Sequence, residues 1–165
     1  MDKNTKDNLK IIGYILIIIL VIAGMFLYIK QTSDKNQTIT FDNWKFEIGE
    51  DYSGGESASR ANAILNYGNS QLMVYGGNQA EEQSKLFGQQ PNATIGNKTI
   101  DGINYEYESY EGPSFNIQII NYKFIKDGTE FYIHTKIPLD DYNSKSYMEF
   151  HNNTIETIIK TIQTQ

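Results

Sequence analysis

The sequence predicts an α+β domain, an antiparallel β-sheet packed with a long C-terminal helix and one short helix, preceded by a single N-terminal transmembrane helix. Three observations carry that expectation. Residues Ile11 to Ile29 run for nineteen positions without a charge between Lys10 and Lys30. Asp101-Gly102 and Asp127-Gly128 are both strong hairpin signals of the type I′ kind. Tyr147, Met148, His151, Ile155, Ile158, Ile159 and Ile162 recur at three- and four-residue steps, an apolar stripe on a helix predicted over Asn143 to Ile162.

The uncharged run is long enough for a bilayer. At about 1.5 Å per residue it spans roughly 28 Å, close to the hydrocarbon thickness, and Gly13 and Gly24 are tolerated in lipid. A cleaved signal peptide is the alternative, with an apolar region of about 7 to 15 residues before a small-x-small site. Here the region is longer, residues Met25 to Ile29 are bulky, and Ala23-Gly24 is its only small pair. The absence of cysteine excludes a lipid-modified N-terminus of the bacterial lipoprotein kind. Lys3, Lys6 and Lys10 precede the run and Lys30 and Lys35 follow it, a bias toward a cytoplasmic N-terminus. The expected organisation is a tail over residues 1–10, a membrane span over 11–29, a polar stalk over 30–37 and an extracytoplasmic domain over 38–165. The protein is expected on a cell membrane as a single-pass chain with that domain outside.

Within the domain, Thr38 to Phe41 and Trp44 to Ile48 read as strands around Asp42-Asn43, and Gly49 to Ser59 as a loop containing Gly54-Gly55. Arg60 to Tyr67 and Gln71 to Tyr75 form a hairpin about Gly68-Asn69. Asn78, three residues before Glu81, has the spacing of a capped helix start, and Gly88 supplies a stop. Ala80, Leu86 and Phe87 are that short helix's expected apolar contacts, and Gln89 to Asn97 is expected to be irregular. Lys98 to Ile137 then reads as an antiparallel meander. Ile120, Tyr122 and Phe124 oppose Thr135, Ile133 and Phe131 on one apolar face, which the closing helix would cover. The reverse face, with Asn121, Lys123, Glu130, Tyr132, His134 and Lys136, is expected to be solvated.

Composition narrows the function classes. Beyond Lys30 ten basic residues face eighteen acidic ones, a net charge of −8. With one arginine in the whole chain, nucleic-acid binding is not expected. Zero cysteines remove disulfides, thiol chemistry and cysteine-ligated zinc or iron–sulfur sites. Four Asn-x-Ser/Thr sequons, at Asn36, Asn92, Asn97 and Asn152, are glycosylation candidates if the domain lies outside the cytoplasm.

No residue pattern specifies catalysis. His134 lacks an identifiable nucleophile and orienting carboxylate, and His151 falls among the apolar positions of the last helix as a buried, hydrogen-bonded group. Two histidines 17 residues apart do not form a zinc motif. Glu47, Glu50, Asp51 and Glu56 lack the regular spacing of a calcium loop. Glu106 and Glu108, with Glu111 nearby, share a strand face as paired carboxylates would, and a charged sheet face explains them as well. Asp140-Asp141 reads as a helix-start signal. No cofactor and no metal are expected. Among twelve tyrosines, Tyr110 and Tyr132 fall on the solvated face, and with Lys123 and His134 they make the candidate contact set for a partner.

One layout draws these elements together. Phe46 and Ile48 near Tyr52, a hairpin, a short helix, the Ile100-Asp101-Gly102 turn before a tyrosine-rich strand, a meander and a closing helix resemble the PsbP/Mog1-like domain over roughly Thr38 to Ile162. Gly49 stands where that family often has a proline. The resemblance implies an antiparallel sheet between helices and a non-enzymatic accessory or binding role, and it transfers no catalytic residues. The leading expectation is a membrane-anchored, extracytoplasmic, non-catalytic binding or accessory module of the cell envelope, meeting an envelope protein or surface ligand. The alternatives are an envelope enzyme of hydrolase type using carboxylates and His134, or a structural subunit of an envelope assembly.

Overall fold

A computed structural model describes residues 14–22, 36–41, 43–56, 62–113 and 116–165. The chain divides into two compact units, Met1–Lys35 and Asn36–Gln165. In the first, residues 14–22 are helical (α1), and every side chain from Tyr14 to Ile22 is apolar and exposed. Among the described residues no helix is long and apolar enough to cross a membrane. Residues 11–13 and 23–29 of the expected span lie outside the described residues, as do positions 1–10 and 30–35 of the expected tail and stalk.

The second unit holds two antiparallel sheets. β1 (Asn36–Thr40), β2 (Trp44–Gly49) and β10 (Gln163–Thr164) form the smaller, with β2 in the middle. The larger runs β3-β4-β5-β9-β8-β7-β6, built from β3 (Ser53–Glu56), β4 (Asn62–Tyr67), β5 (Ser70–Gly76), β6 (Thr94–Ile100), β7 (Ile103–Glu111), β8 (Ile117–Lys126) and β9 (Thr129–Pro138). Helices α2 (Asn78–Ser84), α3 (Leu139–Tyr142) and α4 (Lys145–Thr161) complete the unit. This is the expected α+β architecture with its antiparallel sheet and closing helix.

The meander has the register the alternation predicts. Ile120, Tyr122 and Phe124 pair with Thr135, Ile133 and Phe131. Asp101 and Gly102, and likewise Asp127 and Gly128, all have positive φ, the backbone a type I′ turn requires at both central positions. The apolar face of this sheet meets His151, Ile155, Ile158 and Ile159 of α4 and the capping Ile162 just beyond it, all buried. Ser144 caps α4, its Oγ accepting from the Tyr147 N–H. β2 contributes Trp44, Phe46 and Ile48 to the same core, its alternate residues being buried. Trp44 lies over Gly76, where a Cβ would stand 2.8 Å from the indole nitrogen, so the glycine makes room for the ring.

Several expectations are corrected. Ser53–Glu56 is an edge strand where a loop was expected; Gly54, at φ +126°, brings it against the Ile64 carbonyl more closely than a side chain would permit. Asn36 and Gln37 belong to β1 and are not part of a stalk. Asn78 is not the cap of α2. Gly77 takes that position, with no side-chain cap, and its carbonyl accepts from the Glu81 N–H. Leu86 and Phe87 lie beyond the end of α2, where Leu86 is exposed, so Ala80 is the helix's buried residue. Regular structure resumes at Thr94, inside the stretch expected to be irregular. Asp140 and Asp141 do mark a helix start, but that of the separate short helix α3 and not of α4.

Candidate functional site

The largest correction falls on the reverse face of the meander, because α2 packs on β5 and β9 and covers part of it. Tyr132 is buried, at 4% exposure, and Asn121 and Glu108 are buried at 2% and 1%. The cause is visible in β8, which also places Ile117 and Ile119 on this face, Ile119 buried and Ile117 half-buried, while Ile125 near its far end stays 65% exposed. A strand apolar on both sides belongs between two layers.

Under that cover runs a chain of polar groups from three adjacent strands. The Gly88 N–H donates to Glu108 Oε2 at 2.8 Å, and Asn121 Nδ2 donates to Glu108 Oε1 at 2.8 Å. Asn121 Oδ1 lies 2.7 Å from His134 Nδ1. An amide oxygen only accepts, so His134 donates through Nδ1 and the neutral ring leaves Nε2 unprotonated. Burial, helped by Lys136, lowers the His134 pKa to about 4. Tyr132 and Tyr110 flank this chain. Burial raises both phenols, with Glu108 adding to the effect, while a hydrogen bond with Asn121 opposes it at Tyr110.

The four candidate contact residues therefore share one face but not one role. Tyr132 is an interior residue. His134 is tied to Asn121, and Tyr110 is half-buried. Lys123 sits nearer the surface, 3.0 Å from Glu106 and with its ammonium 4.9 Å from the Phe87 ring centroid. Leu86, which precedes Phe87 in the chain, is 60% exposed, and Ile95 on β6 is 55% exposed. Ile95 pairs with Glu108 in register, and a Cβ on Gly88 would touch its Cδ1 at 3.6 Å, so the loop after α2 and strand β6 meet there. The Lys123–Glu106 pair continues into an open groove of about 1070 Å³ around the ends of the two I′ hairpins. Its wall carries both signs of charge, with Lys126 and Lys160 beside Asp101 and Asp127. Lys126 is already engaged, donating to the carbonyls of Ile159 and Lys160 at the end of α4.

The paired-carboxylate idea separates on this geometry. Glu106 is solvent-facing while Glu108 is interior, and Asn121 stands between Glu108 and His134. His151 lies inside the core, where Tyr122 Oη is 3.1 Å from its Nε2 and burial lowers its pKa to about 4. Among the described residues no three His, Asp or Glu gather as a metal site. Of the sequon asparagines, Asn36, Asn92 and Asn97 are exposed on β1, a turn and β6. Asn152 is exposed too, but it lies within α4, and its partner Thr154 is buried and donates to the Phe150 carbonyl.

No family model and no curated protein matches the sequence. Among solved structures the chain is similar to the solution structure of cyanobacterial PsbP (CyanoP) from Synechocystis sp. PCC 6803, with a TM-score of 0.50 and 10% identity. That likeness covers 81% of this chain and 94% of the cyanobacterial one. The fold is PsbP-like, with helices on both sides of the larger sheet.

Proposed function

We propose that this chain is a membrane-tethered, extracytoplasmic accessory module with a PsbP-like domain, held by residues 11–29 with its N-terminus in the cytoplasm. The tether is supported by the exposed, wholly apolar side chains of α1, which water solvates poorly and lipid accepts. The module docks an envelope protein through the face that carries the exposed Leu86 and Ile95 and the Lys123–Glu106 pair. The observation that carries this reading is that pairing of exposed apolar side chains with an adjacent, mixed-charge groove. Its non-catalytic character is supported by the way His134 spends its Nδ1 hydrogen on a neutral amide, not on a carboxylate that would make it a base.

The test has two arms. Because the chain has no cysteine, single cysteines at Asp2 and Asn97 can be labelled in intact cells with an impermeant maleimide. Labelling at 97 alone supports the topology, and labelling at position 2 alone reverses it. The second arm is cross-linked capture from membranes with the full chain and with Leu86→Ser/Ile95→Ser. A partner lost from the double variant locates the docking surface; a partner kept by it moves docking elsewhere.

A further inference from the structure

A second cavity lies on the opposite side of the sheet. It is a cleft of about 240 Å³ between β6, β7 and β8 and the flank of α4. Tyr105, Tyr107 and Tyr122 line it from the sheet and Tyr142 from α3. Those tyrosines fall on the α4 side because β7 pairs Tyr105 with Phe124 and Tyr107 with Tyr122.

Two of the rings are held in place by the fold. Gly96 pairs with Tyr107, and a Cβ there would stand 2.5 Å from the ring's Cζ and Oη, so the ring occupies the space a side chain would fill. The Lys98 ammonium lies 5.7 Å from the same ring's centroid. Tyr122 is fixed from behind by His151. Facing these rings, α4 presents Asn152 and Glu156, one turn apart on one side of the helix.

We propose that this cleft binds one ring of a neutral saccharide. The half-buried Tyr107 and Tyr142 offer apolar ring surface to the C–H side of a sugar, over a floor made by the buried Tyr105 and Tyr122. An amide and a carboxylate one helical turn apart suit its hydroxyls, the first donating and accepting, the second accepting. Glu156 stands 3.7 Å from Lys160 and Lys98 lies over the Tyr107 ring, so each charge already has a partner, which favours an uncharged ligand. The volume falls just below the roughly 300 Å³ at which drug-sized pockets begin, leaving room for one ring. The cleft is independent of the α2-side docking surface.

The experiment uses the full chain in a non-glycosidic detergent, titrated calorimetrically with hexoses, N-acetylhexosamines and their disaccharides, and with indole as a non-hydroxylated probe. Binding of a neutral sugar, weakened about tenfold by Tyr107→Ala and by Asn152→Ala, is the expected result. Tyr107→Phe should keep most of the affinity, since the ring remains, and Glu82→Ala on the exposed surface of α2 should keep all of it. Asn152 is exposed, so its variant reads the cleft without disturbing the core. Sugar binding indifferent to Tyr107→Ala and Asn152→Ala overturns the proposal. So does indole binding without sugar binding, or no sugar binding up to about 10 mM, a standard free energy near −3 kcal/mol.

Discussion

Replacing Asn121 by alanine tests the buried polar chain, because that one side chain serves both of its neighbours. The substitution leaves Glu108 Oε1 without its donor and His134 Nδ1 without its acceptor, the first buried and the second half-buried. An orphaned buried polar group costs about 1 to 3 kcal/mol; Glu108 keeps its Gly88 donor and His134 is half-buried, so each loss stands at about 1.5 kcal/mol. The sum is about 3 kcal/mol, a large part of the roughly 5 to 15 kcal/mol that holds a domain folded. Trp44 is the only tryptophan and is 7% exposed, so its fluorescence reports urea unfolding directly. With a slope near 2 kcal/mol per molar urea, the midpoint falls by about 1.5 M. Glu106→Ala supplies the contrast. Its carboxylate is about half exposed and pairs with Lys123 at the surface, so the expected change is under about 1 kcal/mol. A double cycle of Asn121→Ala with His134→Ala should show coupling of about 1 kcal/mol. If Asn121→Ala moves the midpoint no more than Glu106→Ala does, the chain is not a buried, satisfied network and the reasoning fails.

Acid should destabilise the domain through its histidines. Both have folded pKa values depressed to about 4 from 6.5, so the unfolded chain binds more protons between those values. Their contribution is present above about pH 6.5 and is lost as pH falls toward 4, up to about 3 kcal/mol for each ring. Urea midpoints measured from pH 7 to 4.5 should therefore drop, and more gently in His151→Gln; equal slopes would count against the assignment. Gly54→Ala should cost more than about 1 kcal/mol, since φ is +126° and the new Cβ meets the Ile64 carbonyl. Faster amide exchange along β3 and β4 is its signature. Ile158→Ala, at a fully buried position on α4, should cost about 2 to 5 kcal/mol in thermal melts, whereas Leu86→Ala at the exposed loop should change little.

The sequence made half of this molecule legible through local rules. The two Asp-Gly turns set the hairpins, period-two alternation then set the register of β8 and β9, and the isoleucine ladder of α4 named its own buried stripe. The solvated face was misread because polar residues at Asn121, Lys123, Tyr132 and His134 outweighed the apolar ones between them. Ile117 and Ile119 on the same face held the signal that a second layer covers it. Glu108 shows why the candidate site was harder still. A glutamate in an alternating strand reads as solvent-facing, and only the arrival of Gly88 from a loop 20 positions away makes it an interior acceptor. The tyrosine cleft needed tertiary information as well, since its two sides come from strands and helices distant in the chain.

The middle strand of the small sheet has consequences for the order of folding. β2 pairs on one side with β1, its immediate neighbour, but on the other with Gln163 and Thr164. The same closure is fastened by the Glu47 N–H donating to Thr161 Oγ1, 114 positions away, and by Gln165 donating to the Asn43 carbonyl. Such contacts raise the contact order, because a long loop must close before they return any stabilisation. The meander can assemble from neighbouring segments while Trp44, Phe46 and Ile48 wait for their covering layer. During synthesis the aromatic half of the core would therefore stay unsheltered longest, making β2 the segment most in need of protection from association until α4 docks.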